Sequence, residues 1–240
     1  MRMNKQMKIL VIDIGGSSVK CVAPGHRSPV KFKSGPQLTP ASMVRQVRQI
    51  TRGWRYAAVS IGYPGVVRDG RIAVEPHNLG SGWAGYDFAA AFGCPVKIIN
   101  DAAMQALGGY AGGKMLFLGL GTGLGSALIV DGAIAAMELG HLHYARGRSY
   151  EDHVGKQGRK RLGIKKWRLV AMQVVEEFRK ALLPDYIVLG GGNAAKLKNL
   201  PPQTRLGDNG HALLGGFRLW AGQERSGGTR ARSGRALRGT

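Results

Sequence analysis

Apolar runs alternate with polar stretches along the chain, and several of the runs stop on glycine. KILVIDIGG, residues 8–16, has the β-branched content and glycine stop of a buried strand, and VKCVA at 19–23 continues as its hairpin partner. Asp13 then ends the first strand, with Gly15, Gly16, Ser17 and Ser18 in the turn. Residues 41–52, ASMVRQVRQITR, carry Met43, Val47 and Ile50 at helical spacing with arginines elsewhere around them. AAVSIGYPGVV returns as a strand ending in a Gly-Tyr-Pro-Gly loop. After a turn-rich stretch at 69–85, YDFAAAFG predicts a short helix, and PVKIINDAA a strand entering a helix at Asn100–Asp101.

Residues 115–132, MLFLGLGTGLGSALIVDG, place glycine at every second position from Gly119 to Gly125. A dinucleotide elbow, G-x-G-x-x-G, needs a third glycine where Leu124 or Ser126 stands, and a helix after it. A second strand, SALIV, follows instead, so the pattern predicts a hairpin whose turn lets backbone N–H groups approach an oxygen-rich anion. The alternative is an ordinary Gly-rich hairpin. Past Glu138 the periodicity breaks down through HLHYARGRSYEDHVGKQGRKRLGIKK. WRLVAMQVVEEFRKALL then resumes a helix with Trp167, Val170, Val174, Phe178 and Ala181 on one face. PDYIVLGGG is a last strand, stopping at Gly190 to Gly192, and no repeat period is visible. The final stretch, 221–240, is poor in apolar residues and rich in arginine, which predicts a disordered tail.

Composition narrows the setting. The 240 residues are 44% hydrophobic, enough for a core. Lys and Arg number 35 against 14 Asp and Glu, a net charge of +21, which implies polyanionic company. Cys21 and Cys94 are too few and too far apart for a metal cluster or disulfide framework, which fits a reducing cytoplasm. The first apolar run is cut by Asp13 and reads as a strand rather than a signal peptide, and no run is long enough to span a bilayer.

Three glycine turns after apolar strands suit phosphoryl transfer, which must hold charged oxygens, with Mg²⁺, against an acceptor hydroxyl and a base. The turns at 15–18 and 121–123 supply backbone donors, with hydroxyls from Ser17, Ser18 and Thr122. Asp13 beside them is the candidate metal ligand, acting through water. Asp101, at a strand end, is the candidate base; the alternative is that Asn100 and Asp101 merely cap the helix AAMQAL.

DIGGSSVK at 13–20, YPGVV at 63–67, IINDA at 98–102, GTGLGSAL at 121–128, ELGH at 138–141 and LGGG at 189–192 together resemble the ROK family of sugar kinases. Within the family they are most similar to its bacterial polyphosphate glucokinase branch, and the likeness covers residues 8 to 220. It implies an α/β, actin-like ATPase (ribonuclease H-like) fold of two lobes around a cleft, divided as 7–100 and 101–220. It also implies that Asp101 is the base for a glucose 6-hydroxyl and that Asn100, Glu138, His141 and Glu151 bind sugar, with Gly65 and Asn78 in the sugar loop. Lys20 belongs to the first phosphate motif, and Gly191 and Gly192 lie on the adenosine side if ATP is the donor. Most of the family carries a cysteine-rich zinc motif after E-x-G-H; its absence here implies no zinc, and the polyphosphate branch lacks it too. The family is commonly dimeric, so a homodimer is implied.

Residues 156–168, KQGRKRLGIKKWR, hold seven Lys or Arg and no acid. They read either as a solvated loop and helix start or as a track for polyphosphate built from Lys156, Arg159, Lys160, Arg161, Lys165 and Lys166. Polyphosphate, ATP or both remain open as donor, and mannose remains open beside glucose. A sugar-responsive regulator shares the fold, but about seven residues precede the first predicted strand, too few for a helix-turn-helix, so no specific nucleic-acid partner is expected.

Overall fold

The computed structural model describes residues 7–26, 28–208 and 210–221; the expected tail lies outside them from residue 222 on. The first half runs β1 (Ile9–Ile14), β2 (Ser18–Val22), β3 (Val30–Lys33), α1 (Pro40–Ile50), β4 (Ala58–Tyr63), the small hairpin β5 (Val67–Arg68) and β6 (Arg71–Ile72), α2 (Phe88–Phe92), β7 (Val96–Asn100) and α3 (Asp101–Gly109). The second runs β8 (Lys114–Leu120), β9 (Leu124–Val130), β10 (Ala133–Met137), the small hairpin β11 (His143–Ala145) and β12 (Arg148–Ser149), α4 (Tyr150–Val154), α5 (Lys156–Leu182), β13 (Tyr186–Gly190), β14 (Thr204–Leu206) and α6 (His211–Arg218).

Two five-stranded sheets are wired alike. The first has the order β3-β2-β1-β4-β7 and the second β10-β9-β8-β13-β14. In each, a three-stranded antiparallel meander is extended by two strands parallel to its first strand. This duplication leaves no sequence period because what recurs is the pairing order, which different apolar residues fill equally well.

All six residues of β1 and all six of β4 are buried, as expected of strands covered on both faces. α1 begins at a capping box between Thr39 and Ser42, with Pro40 in the first turn, and buries Met43, Val44 and Val47 against the first sheet. α5 covers the second sheet with Trp167, Ala171, Val174, Val175 and Phe178. Its start corrects the sequence expectation: the helix begins at Lys156, not at the apolar Trp167. α4 holds the polar first part through Arg161 Nη2 donating to Asp152 O (2.9 Å), and also holds the start of the apolar part through Trp167 Nε1 donating to Val154 O (2.9 Å). Gly163, at φ 72° and ψ 159°, kinks the helix between the two parts.

α3 and α6 lie between the sheets. Ala102, Ala103 and Ala106 pack with Met115, Phe117, Ala127, Ile129 and Val188 of the second sheet, while Met104 and Ala212 join Ile9, Val11 and Ala58 of the first. Strands up to residue 100 form the first sheet and strands from residue 114 the second, yet residues 211–220 return to the first sheet, where Ser60 Oγ donates to Gly216 O (2.6 Å) and accepts from Trp220 Nε1 (2.8 Å).

Candidate active site

Parallel strands bring their carboxyl ends together, the usual place for a site in such sheets. Asp13 is in register with Gly62, and Tyr63 with Asn100, so the ends of β1, β4 and β7 lie side by side. Asp13 is buried and its cross-strand partner Lys20 places Nζ 3.6 Å from Oδ2. Burial pushes the Asp13 carboxyl up, and the Lys20 charge works against that. Asp101 is half-buried at the first position of α3 and accepts a hydrogen bond from Ala102 N (2.7 Å). Its pKa is raised to about 7, chiefly by burial and then by the charges of Asp13 and Glu138, against the Ala102 N–H.

Asn100 caps α3, the alternative that its position before AAMQAL left open. Its Oδ1 accepts from Ala103 N (3.0 Å), and its Nδ2 donates to Gly65 O (3.1 Å), fixing the loop after β4. Asn78 is exposed in a turn ahead of buried Leu79, and no hydrogen bond among the described residues ties it to Asn100 or Asp101.

The glycine turns converge. A Cβ on Gly16 would lie 3.7 Å from Thr122 Oγ1, so the first and second turns face each other. Ser34 Oγ braces the first turn by donating to Gly15 O (2.6 Å). Asn193 holds the third turn to the second, its N–H donating to Leu120 O (2.9 Å) and its Nδ2 to Gly121 O (3.0 Å). Gly191, at φ 80°, packs where a Cβ would meet Leu120 O at 2.5 Å, whereas Gly121 and Gly192 face open space. Of the four alternating glycines, only Gly121 and Gly123 belong to the hairpin turn. Gly119 and Gly125 pair across the ladder, and Gly125 gives way to Ala102 beside Asp101, where a Cβ would approach at 2.9 Å.

The E-x-G-H element sits on the same hairpin. Ser126 Oγ donates to Met137 O (2.8 Å) and accepts from Leu139 N (3.2 Å), and Gly140 lies against Leu124 O. Glu138 Oε2 and His141 Nδ1 are 3.6 Å apart, both substantially exposed. Glu151, on α4, lies closer to the second turn than the sequence suggested: its Oε2 accepts from Leu124 N (3.1 Å) and lies against Gly123. The start of α5 abuts this turn too, with Lys156 N donating to Thr122 O (3.0 Å). Arg159 is half-buried one turn on, and its Nε is buried without a hydrogen-bond partner. Lys160, Arg161, Lys165 and Lys166 are exposed, Arg161 being engaged by α4 and the last two lying beyond the Gly163 kink.

Sequence reasoning missed Ser34, Ser126 and Gly155 as supports. Gly155 would place a Cβ 2.7 Å from Thr122 O, and nothing local in the sequence marks any of the three. Among the described residues no group of three His, Cys, Asp or Glu could hold a metal by itself, and no helix is long and apolar enough to cross a membrane.

Two like-wired sheets, with glycine turns that converge at their strand ends, are the architecture of the actin-like ATPase fold. Within that fold the chain belongs to the ROK family, whose model matches residues 9–158. It is 28% identical over 216 residues to the polyphosphate glucokinase of Mycobacterium tuberculosis H37Rv, covering 80% of each chain. Its fold is similar to that of the inorganic polyphosphate/ATP-glucomannokinase of Arthrobacter sp. strain KM, with a TM-score of 0.77 and 24% identity over 90% of this chain and 99% of that one. It is also similar to a ROK family glucokinase from Streptomyces griseus in complex with glucose and AMPPNP, with a TM-score of 0.70 and 17% identity over 88% of this chain and 98% of that one.

Proposed function

We propose that the protein is a hexose kinase that phosphorylates the 6-hydroxyl of glucose, using inorganic polyphosphate as preferred donor and ATP as a second. The observation that carries the reading is Asp101, half-buried beside Asp13, with a pKa near neutrality and backed by the facing glycine turns. A base poised near the working pH is ionised often enough to act and basic enough to take a proton. Asp101 accepts the proton of the 6-hydroxyl as its oxygen bonds to the terminal phosphorus. The bond from that phosphorus to the bridging oxygen breaks, and the donor leaves one phosphoryl group shorter.

Glu138, His141 and the remaining valences of Asn100 orient ring hydroxyls, and Glu151 couples this sugar element to the phosphate hairpin through Leu124 N. Gly16, Ser17, Ser18, Thr122 and Gly123 present donors to phosphate oxygens, while Gly15 N and Gly121 N close their own turns by donating to Ser18 O (3.0 Å) and Gly123 O (3.1 Å), and Lys20 stands behind Asp13. The Asp13 donor set fits Mg²⁺: Lys20 is one cation against the two neighbouring acids Asp13 and Asp101, and one carboxylate with water and phosphate is how Mg²⁺ is usually held. Mg²⁺ at Asp13 would neutralise charge on the donor phosphates.

The relatives named for polyphosphate support the donor, and so does the start of α5. Lys156 and Arg159 sit at the positive end of a helix with no acid in its first turn, a placement that costs roughly 0.3–1 kcal/mol per charge. A polyanion passing Thr122 would reverse that cost.

The test is glucose 6-phosphate formation with Mg²⁺ and either polyphosphate or ATP, each at low and high salt. Faster turnover on polyphosphate that falls more steeply with salt than turnover on ATP is expected. Equal salt slopes would remove the basic track, and no turnover on either donor would overturn the kinase reading.

A further inference from the structure

Between Asp13 and Asp69 the chain carries nine Lys or Arg and no acid, an imbalance that the catalytic cleft uses only at Lys20. Three of these residues gather in one place. Arg48, Arg52 and Arg55, with Trp54, Tyr56 and Cys94, line an open pocket of about 470 Å³ between the end of α1 and the end of α2. Arg55 and Tyr56 lie just before β4, and Cys94 just before β7, whereas the cleft is at the far ends of both strands. Six residues of strand separate them, about 20 Å. The pocket is therefore remote from the catalytic centre.

Basic residues at a helix C-terminus can serve the helix alone, and Arg48 does so by donating to Ala91 O (2.6 Å) near the end of α2. Arg52 and Arg55 lie beyond the end of α1, past its cap Thr51. Among the described residues neither side chain makes a hydrogen bond or has a carboxylate within 4 Å. Only one of the chain's 14 acids, Glu224, falls outside the described residues, so acids of this chain offer little to pair with them. Trp54 forms an apolar wall, half-buried and stacked on His26 with ring centroids 3.7 Å apart.

We infer that this pocket is a second binding site, for a phosphate group, separate from the catalytic cleft. Guanidinium forks without carboxylate partners match phosphate oxygens bidentately, and the exposed pocket lets the rest of the ligand extend outward. The choice of phosphate rests on the kinase reading above, which supplies two sources for the group: the polyphosphate donor and the hexose 6-phosphate product.

Trp54 makes the pocket directly observable. Trp83, Trp167 and Trp220 are buried, so Trp54 is the tryptophan whose emission a ligand in this pocket would change. Tripolyphosphate and glucose 6-phosphate are titrated separately, without nucleotide, into wild type, Trp54→Phe and the double variant Arg52→Ala/Arg55→Ala. A saturable change with at least one ligand is expected. It should be absent in Trp54→Phe and shifted roughly tenfold or more to higher concentration in the double variant, whose turnover on ATP stays as in wild type. The ligand that saturates first identifies the source. No Trp54-dependent change with either ligand, or an unshifted midpoint in the double variant, overturns the site. A Trp54 response in a protein without turnover on any donor would sink the kinase reading and leave the pocket standing.

Discussion

Asp101 is under two opposing demands. As the proposed base it must be ionised, yet its burial and the neighbouring charges of Asp13 and Glu138 disfavour the charge and raise its pKa to about 7. In the unfolded chain the same group titrates near the ordinary aspartate value of about 3.9. The folded state therefore holds a proton between these values that the unfolded state has released. The stabilisation this gives is complete below about pH 4 and is lost as pH rises through about 7. Asp101→Asn removes the charge while keeping the shape. It should lower turnover on glucose by roughly 10²–10⁴-fold with sugar binding largely kept. It should also raise the melting temperature over wild type more at pH 8 than at pH 5. Turnover like wild type would remove Asp101 as base, and an equal melting difference at both pH values would remove the burial argument. Asp13 and Asp101 were legible in the sequence because each sits where an apolar strand gives way to a turn or helix. Ser34 and Asn193 were not legible as braces, because their partners Gly15 and Gly121 lie 19 and 72 residues away.

Between the second glycine turn and α4, two glycines perform different tasks that spacing alone does not separate. A Cβ on Gly123 would collide with the Glu151 carboxylate, the far end of a flexible side chain. A Cβ on Gly155 would meet Thr122 O at 2.7 Å and Glu151 O at 2.8 Å, both backbone atoms in fixed elements. Gly123→Ala should therefore fold with little loss, push Glu151 off Leu124 N and raise the KM for glucose. Gly155→Ala should destabilise by about 1–3 kcal/mol, because the turn and α5 must move apart. Urea unfolding and sugar saturation curves on both variants check this; equal destabilisation would show that Glu151 is as immovable as the backbone. β1, β2, β4, β7, β8, β9 and β13 were readable from apolar runs and glycine stops; the edge strands β3, β10 and β14 were not, since they bury little and so carry no bounded apolar run. The start of α5 was not, since its first part is held by Arg161 and by α4 rather than by an apolar face of its own.

The two sheets share their wiring, and what joins them is the layer of α3 and α6. Close approach makes that layer possible: Gly215 lies against Met104 O and Gly108 against His211 O, where no side chain fits. The last described turn then anchors on the first lobe, although residues from 114 to 206 build the second. Trp220 donates to Ser60 Oγ within β4, and its ring lies 4.6 Å from the Lys97 ammonium, which itself donates to Leu219 O (2.8 Å). Were the lobes independent, weakening this anchor would unfold the first and spare the second. The shared helical layer argues otherwise, because α3 contributes Met104 to one core and Ala102, Ala103 and Ala106 to the other. Trp220→Ala should cost about 3–5 kcal/mol, through the lost ring and the lost donor to Ser60. At this chain length that corresponds to a melting temperature lower by about 10 °C. Trp220→Phe, which keeps most of the ring and loses the donor, should fall between. Calorimetry on all three proteins should show one transition moving as a whole. Two transitions in Trp220→Ala, one unmoved from wild type, would mean that the α3–α6 layer does not couple the lobes.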